Sequence, residues 1–483
     1  MHVPRQFRPS LAGTILLVLA WLTPAVRAEK AAAVPLVELR AAVTRALPLI
    51  ERSSAFALQE RACFTCHHGA HPSLVINDSW ARGFAINTNN FEDQLARAYL
   101  GLIADRPRFK EGWSIAGTAD GPGTALWMLE VAGWKPDATT AAAAEFFLDQ
   151  NKNLDHWVPP MRRPPTVGSE FTTTYLVLRG LQNHSPPELA TRTRIRTAAA
   201  GQWLLGAPAH NTEDSVHRLR ALHLLDVDEA AFKKEAAELL AVQAADGGWP
   251  QKLDTASDAY ATGTTLAALH DTGALTVRDA AFQRGLRYLL QAQAADGSWH
   301  VRKRTHDVQP FFDSSFPHGV DQFISISATS WAAYALLRAV PRVEKKSYLA
   351  ANPQAVTRVL ANALPNQERQ FTEAQFAFFR EKIEPVLASR CYECHSAQAK
   401  KLKAGLHLDT RGGILTGGDS GPAVRPSDPD RSLLFRSLTS DRLELMPPKH
   451  KLPAAVITDF RKWIEMGAPD PRTEPGARPT SYK

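Results

Sequence analysis

The spacing of apolar and polar positions predicts a chain that is helical nearly throughout. In its middle, alanine- and leucine-rich stretches recur between two series of markers. One series is a turn bearing a tryptophan: Gly112-Trp113, His156-Trp157, Gly248-Trp249 and Ser298-Trp299. The last two sit in near-identical strings, Gln243-Ala244-Ala245-Asp246-Gly247-Gly248-Trp249 and Gln293-Ala294-Ala295-Asp296-Gly297-Ser298-Trp299, 50 residues apart. The second series falls between the turns: Thr124-Ala125-Leu126, Thr174-Tyr175-Leu176, Thr264-Thr265-Leu266 and Thr329-Ser330-Trp331. Each unit therefore predicts two helices, an Asp-Gly turn and a packed tryptophan. A period of about 50 residues predicts an array whose units bury their apolar faces on neighbours. Because Trp113, Trp157, Trp249 and Trp299 fall at equivalent places, each is expected to lock a turn.

Outside this array the pattern changes. Phe371 to Arg390 predicts a helix running into Cys391, and Val456, Ile457, Phe460, Trp463 and Ile464 recur at helical spacing before a stop at Gly467. The stretch from Pro341 to Gln370 is polar and without a period, which reads as a linker, and the Pro/Thr/Arg-rich end reads as a disordered tail. At the front, Arg5 and Arg8 precede the apolar run Leu11 to Leu22, and Val26-Arg27-Ala28 has the small residues of a cleavage site. The run is too short for a comfortable membrane span, and no later stretch supplies one. The expected organisation is a signal peptide at 1–28, a helical segment at 29–91, the repeat domain at 92–341, a linker at 342–370, a second domain at 371–470 and a tail at 471–483. The expected location is periplasmic or secreted.

Charge and composition narrow the functions. The 483 residues are 44% hydrophobic and 22% charged, which suits a globular protein of more than one domain. Formal net charge is +7, and removing the signal peptide leaves 53 basic against 49 acidic side chains. So small a surplus is no nucleic-acid footprint.

All four cysteines fall in two C-x-x-C-H segments, Cys63-Phe64-Thr65-Cys66-His67 and Cys391-Tyr392-Glu393-Cys394-His395. In this arrangement both thiols add to the vinyl groups of a haem, and the adjacent histidine reaches the iron. A zinc site would need further ligand pairs, and a redox dithiol would need a βαβ context. Two covalent haems c are therefore expected, with Cys63, Cys66, Cys391 and Cys394 attaching them and His67 and His395 on the irons. Near the second motif, Leu445-Met446-Pro447-Pro448 keeps Met446 out of a helix, so its thioether can be held on the far side of the iron. The first motif has no clear second ligand. His68 and His71 lie on the proximal side, where neither easily reaches the opposite face, and they read as histidines of the surface or backing the ligand. Met128, His156, Met161, His184, His210 and His217 stay open, as does a position left vacant or to water.

Residues from about 379 to 468 closely resemble the planctomycete-type cytochrome c domain. The likeness rests on Ile383-Glu384-Pro385-Val386-Leu387, the Cys391 motif, Leu406-His407-Leu408-Asp409, Gly417-Gly418-Asp419-Ser420-Gly421-Pro422, Ser432-Leu433-Leu434 and Met446-Pro447-Pro448. It implies covalent haem with His395 and Met446 as axial ligands. The repeats resemble the α/α-toroid of the prenyltransferase and squalene-cyclase class, through Gln…Asp-Gly-x-Trp. They are also similar to bacterial proteins that fuse a C-x-x-C-H-H segment to such a toroid, through Arg163-Pro164-Pro165, Glu170-Phe171-Thr172-Thr173 and Phe316-Pro317-His318-Gly319-Val320-Asp321-Gln322-Phe323. The fold class expected is all-α, a central α/α-toroid plus a C-terminal c-type cytochrome domain.

Cyclases of that class start with an Asp-x-Asp-Asp acid. The nearest string, Asp226-Val227-Asp228-Glu229, lies where acids cap a helix start. Asp258, Tyr260, Asp321 and Gln322 are expected at the toroid mouth. The expected function is electron transfer, as a redox subunit or haem-dependent oxidoreductase whose toroid binds an apolar small substrate or a partner. Its redox partner would be a protein or a small electron donor or acceptor, and no catalytic residue is identifiable. The alternatives are a scaffold with haem as sensor or relay, and a terpene-cyclase-like enzyme.

Overall fold

The computed structural model describes residues 33–472 apart from 61–65, 115–117, 160–162, 167, 227, 306–312, 364–370, 421, 427, 431, 440–444 and 449–450. The signal-peptide segment, Cys63 and Met161 thus lie outside the described residues, as does most of the tail. Regular structure within them is helical except for one short bridge, Trp249–Pro250 against Ser257–Asp258.

The first twelve helices are α1 (Leu36–Glu60), α2 (His71–Trp80), α3 (Thr88–Lys110), α4 (Asp120–Ala132), α5 (Ala138–Asp149), α6 (Glu170–His184), α7 (Ala190–Gly206), α8 (Thr212–Leu225), α9 (Glu229–Ala241), α10 (Ala259–Asp271), α11 (Ala280–Ala292) and α12 (Gln322–Arg338). The even-numbered helices pack side by side in chain order, and α12 returns to α2 to close an inner ring. The odd-numbered ones pack outside it, with α1 between α11 and α3. This is an α/α-toroid. The inner helices α4, α10 and α12 are apolar or small on nearly every face, as helices buried all round must be, whereas α8 buries Glu213, His217 and Arg220. In α10, every residue from Ala259 to Leu269 is buried. Gly263 lets α12 approach closely, because a Cβ there would meet the Trp331 carbonyl carbon at 2.6 Å.

The repeat turns explain the tryptophan spacing. Trp157, Trp249 and Trp299 are fully buried. Each indole N–H donates to a carbonyl ten residues earlier, that of Phe147, Leu239 and Leu289 at 2.9, 2.7 and 2.7 Å. Each backbone N–H donates to a threonine of the next inner helix, Thr174, Thr262 or Thr329. Trp113 corrects the expectation: it is 46% exposed, its indole N–H donates to Glu111 and its backbone N–H to Arg108 O, so this unit does not repeat the lock.

Ring closure moves a domain boundary. Gln243 donates through Nε2 to Gly247 O and, on α11, to Ala281 O, both at 2.9 Å. Gln293 makes the same pair to Gly297 O and, on α1, to Ala42 O. Gly297 has φ +94, and a Cβ there would lie 2.5 Å from Arg45 O, so only glycine admits α1 at this distance. Helix α1 therefore occupies the place that α11 holds one unit earlier. Residues 29–91 do not stand apart from the repeat domain, because α1 and α2 complete the ring. The expected linker is also partly structured: α13 (Tyr348–Ala351) and α14 (Pro353–Ala363) bury Tyr348, Leu349, Ala355 and Val359 in the toroid's core, with α14 on α3.

A second core lies in residues 371–472. Here α15 (Glu373–Phe378), a π-helical turn (Phe379–Ile383) and α16 (Glu384–Arg390) run continuously into Cys391. They are followed by α17 (Arg411–Thr416), α18 (Leu433–Thr439) and α19 (Ala454–Glu465). Phe379, Leu387, Leu408, Leu438, Phe460 and Trp463 are among its buried residues. A hydrogen bond joins the two bodies, from Arg425 to the carbonyl of Leu58 near the end of α1. Among the described residues no helix is long and apolar enough to cross a membrane.

Candidate haem sites and the toroid interior

The second C-x-x-C-H motif forms a single helical turn after α16, with the N–H groups of Cys394 and His395 both donating to Cys391 O. That turn presents both thiols on one side, and both are half-buried and free. Burial, with Cys394 adding to it, pushes the Cys391 thiol up to about 11, so it is protonated at neutral pH. Residues 403–409 brace the turn. Lys403 N–H donates to Cys394 O at 3.0 Å, Leu408 N–H to His395 O at 2.8 Å, and Ala397 N–H to the Asp409 carboxylate at 2.8 Å.

Burial lowers the pKa of His395, and the carbonyls of Lys403 and Leu406 partly offset this. Its Nδ1 is buried near these carbonyls and has no partner at hydrogen-bond geometry among the described residues. A proton on Nδ1 faces those oxygens and leaves Nε2 as the lone-pair nitrogen, the tautomer a metal-ligating histidine needs. Met446 is half-buried, and its N–H donates to Ser437 O at 2.8 Å, which fixes the loop to α18. Two free thiols on one turn, an imidazole whose pKa burial lowers and a thioether, set around an apolar core, fit a covalent haem.

The first motif is placed differently. Its described part, the π-helical turn Cys66–Ala70, packs against α1, α2, α4 and α12 inside the ring. His67 is buried, and its Nε2 lies 2.7 Å from Thr166 Oγ1. The Phe323 ring packs edge-on at 5.1 Å. Burial first, then His71, His68 and Arg163, hold His67 well below its usual pKa. An iron on Nε2 requires the Thr166 hydroxyl to give way. His68 and His71 are both buried, so neither is a surface histidine. Of the other open ligands, Met128 packs beside Gly69, His156 stacks on Trp203 at 4.2 Å, and His184 has no hydrogen-bond partner among the described residues.

From His67 a polar and aromatic interior continues down the ring. His71 is 6.5 Å from His67 and bonds Ser327 at 3.1 Å. Its ring lies 5.4 Å from Trp331, which is 6.0 Å from Trp127, itself 6.2 Å from Tyr175. On α8, Glu213 accepts from Thr172 of α6 and Tyr260 of α10, both at 3.1 Å. His217 Nδ1 lies 3.1 Å from the same Thr172 hydroxyl. Burial pushes Glu213 up to about 8 and both His71 and His217 down to about 3, Arg220 adding to the fall at His217. Asp120, bonded to Thr173, is pushed up to about 6 by burial.

Of the residues expected at the mouth, Tyr260 alone joins this interior. Asp258 caps α10, Asp321 holds His300 and the Lys303 N–H, and Gln322 holds Ser314. In the Asp226–Glu229 string, Asp226 ends α8, Asp228 caps α9 through Ala231 N–H, and Glu229 pairs with Lys233 at the surface. Glu213 and Arg220 escaped the sequence reading, and His217 was weighed there only as a second ligand for the first motif, because all three sit mid-pattern in an ordinary amphipathic helix. The one hint was the acid pair Glu213-Asp214 behind the Asn211 cap.

Solved structures similar to the chain are helical. Type II terpene cyclase MstE from Scytonema, as a variant in complex with its substrate geranylgeranyl dihydroxybenzoate, is 16% identical, with 63% of this chain and 98% of that one covered and a TM-score of 0.43. The apo form of the same cyclase is 17% identical over 64% and 99%, with a TM-score of 0.41. The ent-copalyl diphosphate synthase from Streptomyces platensis is 19% identical over 56% and 50%, with a TM-score of 0.35. No curated protein is similar to the chain at a significant level. Residues 391–450 match the planctomycete cytochrome C family, and the match spans the attachment turn, its brace and Met446, so the C-terminal domain is of cytochrome c type, suited to haem and electron transfer.

Proposed function

We propose that the chain is an exported electron-transfer protein with two covalent haems c, a redox subunit or oxidoreductase whose toroid holds a substrate or partner. The observation that carries this reading is the Cys391–His395 turn, with two half-buried free thiols and an imidazole whose Nδ1 is buried, inside the matched segment. Cys391 and Cys394 would hold the haem by thioethers, and His395 and Met446 would be its axial ligands. Such a group supplies one-electron exchange between ferric and ferrous iron. The chain's own part is to fix the imidazole tautomer through the carbonyls beside Nδ1, to pin Met446 through Ser437, and to wrap one side in an apolar core. A thioether ligand and a dry surround both favour the ferrous state.

For the second haem the support is the repeated motif and its neighbourhood. Arg425 of the cytochrome domain and Arg97 of α3 both donate to Leu58 O, five residues ahead of Cys63. Cytochrome domain and first motif are thus neighbours, which suits electrons passing between them within one chain.

The test is the intact mass of the full chain, matured with export and haem-attachment machinery and then denatured. Two haem masses are expected, one lost in Cys391→Ala/Cys394→Ala and the other in Cys63→Ala/Cys66→Ala. A single haem in the unaltered chain refutes the dihaem reading, and a colourless chain refutes the whole.

A further inference from the structure

Buried charges at the far end of the ring do not balance. Asp78 on α2 pairs with Arg82 and Arg338, and Arg342 stands 3.5 Å away. Asp271, the last residue of α10, takes Arg338 at 3.0 Å and has Arg220 at 3.8 Å. Arg342 is exposed, so three buried guanidinium groups, those of Arg82, Arg338 and Arg220, share two carboxylates. Glu213, one turn or two up α8, does not redress this, because burial keeps it protonated at neutral pH.

Part of the excess has an ordinary role. Arg82 donates to the carbonyls of Leu337 and Val340 at the end of α12, where the helix dipole favours a cation. Arg338 ends the same helix and covers the Tyr334 ring at 3.9 Å. Arg220 has no such role. It is 6% exposed, and its Nε and Nη2 are buried with no hydrogen-bond partner among the described residues. Its nearest carboxylate oxygen lies beyond hydrogen-bond reach. Trp331, whose ring centre is 5.5 Å from the Arg220 guanidinium carbon, has a second buried donor without an acceptor, Nε1. Leaving a buried guanidinium unsatisfied is costly, so the missing acceptor is expected from outside the chain.

We infer that Arg220 and Trp331 mark an oxyanion site inside the toroid, for the carboxylate or phosphate of a substrate whose aromatic or apolar body lies along Trp331, Trp127 and Tyr175. A planar guanidinium takes either oxyanion in a bidentate grip. The three aromatic rings are spaced as a continuous wall, and the wall leads by His71 to His67. A molecule anchored at Arg220 thus extends toward the first C-x-x-C-H motif. This deepens the proposal that the toroid holds a substrate and rests on it, but does not depend on either haem.

The experiment is a calorimetric and thermal-shift titration of the full chain with inorganic phosphate, benzoate and phenyl phosphate at fixed ionic strength, with chloride as control. Saturable binding absent from the chloride arm is expected, tightest for the probe that joins ring and anion. Response to benzoate but not phosphate assigns a carboxylate, and the reverse assigns a phosphate. Arg220→Leu keeps the aliphatic packing on Trp331 and is expected to weaken binding about 10-fold or more. No saturable response in the unaltered chain overturns the inference, whatever the variant's stability, and so does equal affinity in Arg220→Leu. Haem content is measured separately, so failure here leaves the dihaem reading standing, and the converse also holds.

Discussion

His395 and Met446, the proposed axial ligands, show how much of such a site lies in the groups behind them. The imidazole is prepared by carbonyls at 403 and 406, the thioether by one backbone bond to Ser437. Met446→Ala is therefore expected to leave haem attached while lowering the midpoint potential, read by redox titration with optical spectra. Inside the toroid, protonation provides a second test. His217 titrates at about 3 when folded against 6.5 when unfolded, so the unfolded chain takes up the proton first. Stability from this group is lost as pH falls from 6.5 toward 3. Glu213 behaves oppositely, at about 8 against 4.5, and its contribution is lost as pH rises through that window. His217→Gln should flatten the acid limb of a urea-midpoint-versus-pH curve by up to about 1.4 kcal/mol per pH unit. An unchanged slope would refute burial of a neutral imidazole. The C-terminal attachment turn was legible because cysteine spacing leaves few chemistries open. Glu213 and Arg220 were not, nor was the setting of His217, since only the meeting of α6, α8 and α10 reveals what they face.

At the scale of elements, the tryptophan turns carry the ring. Each joins an outer helix to the next inner one through a carbonyl and a threonine hydroxyl. Trp299→Ala should destabilise the toroid by about 3–5 kcal/mol, a large cavity plus the Leu289 carbonyl left without its indole donor. Trp113→Ala, at an exposed position, should change it by less than about 1 kcal/mol. Chemical denaturation of the two variants side by side decides this. Repeat length and helix content were readable from the two marker series, whereas Trp113 was not distinguishable from its counterparts by spacing. Ring closure was hidden for a related reason. The partner of Gln293 is Ala42, some 250 residues away, and α1 carries no Asp-Gly-x-Trp string to mark it as a member.

Among the described residues there are two large buried cores, one in the toroid and one in the cytochrome domain, beside a small cluster of Leu49, Phe316 and Ile326. Scanning calorimetry of the full chain is expected to resolve two transitions, with Cys391→Ala/Cys394→Ala moving only the smaller. Merging of the two would mean that the contact at Leu58 couples them more tightly than one hydrogen bond implies. The closed ring also sets an order of events. His67 lies inside a barrel whose last stave, α12, is made some 250 residues after it, and whose first, α1, seals against α11 and α12. Under the proposed dihaem reading, a porphyrin bound for that histidine would have to arrive while the stave is still missing, so attachment at the front of the chain would wait on the folding of the back. The Cys391 turn, half-exposed at the edge of its own small core, is under no such deadline.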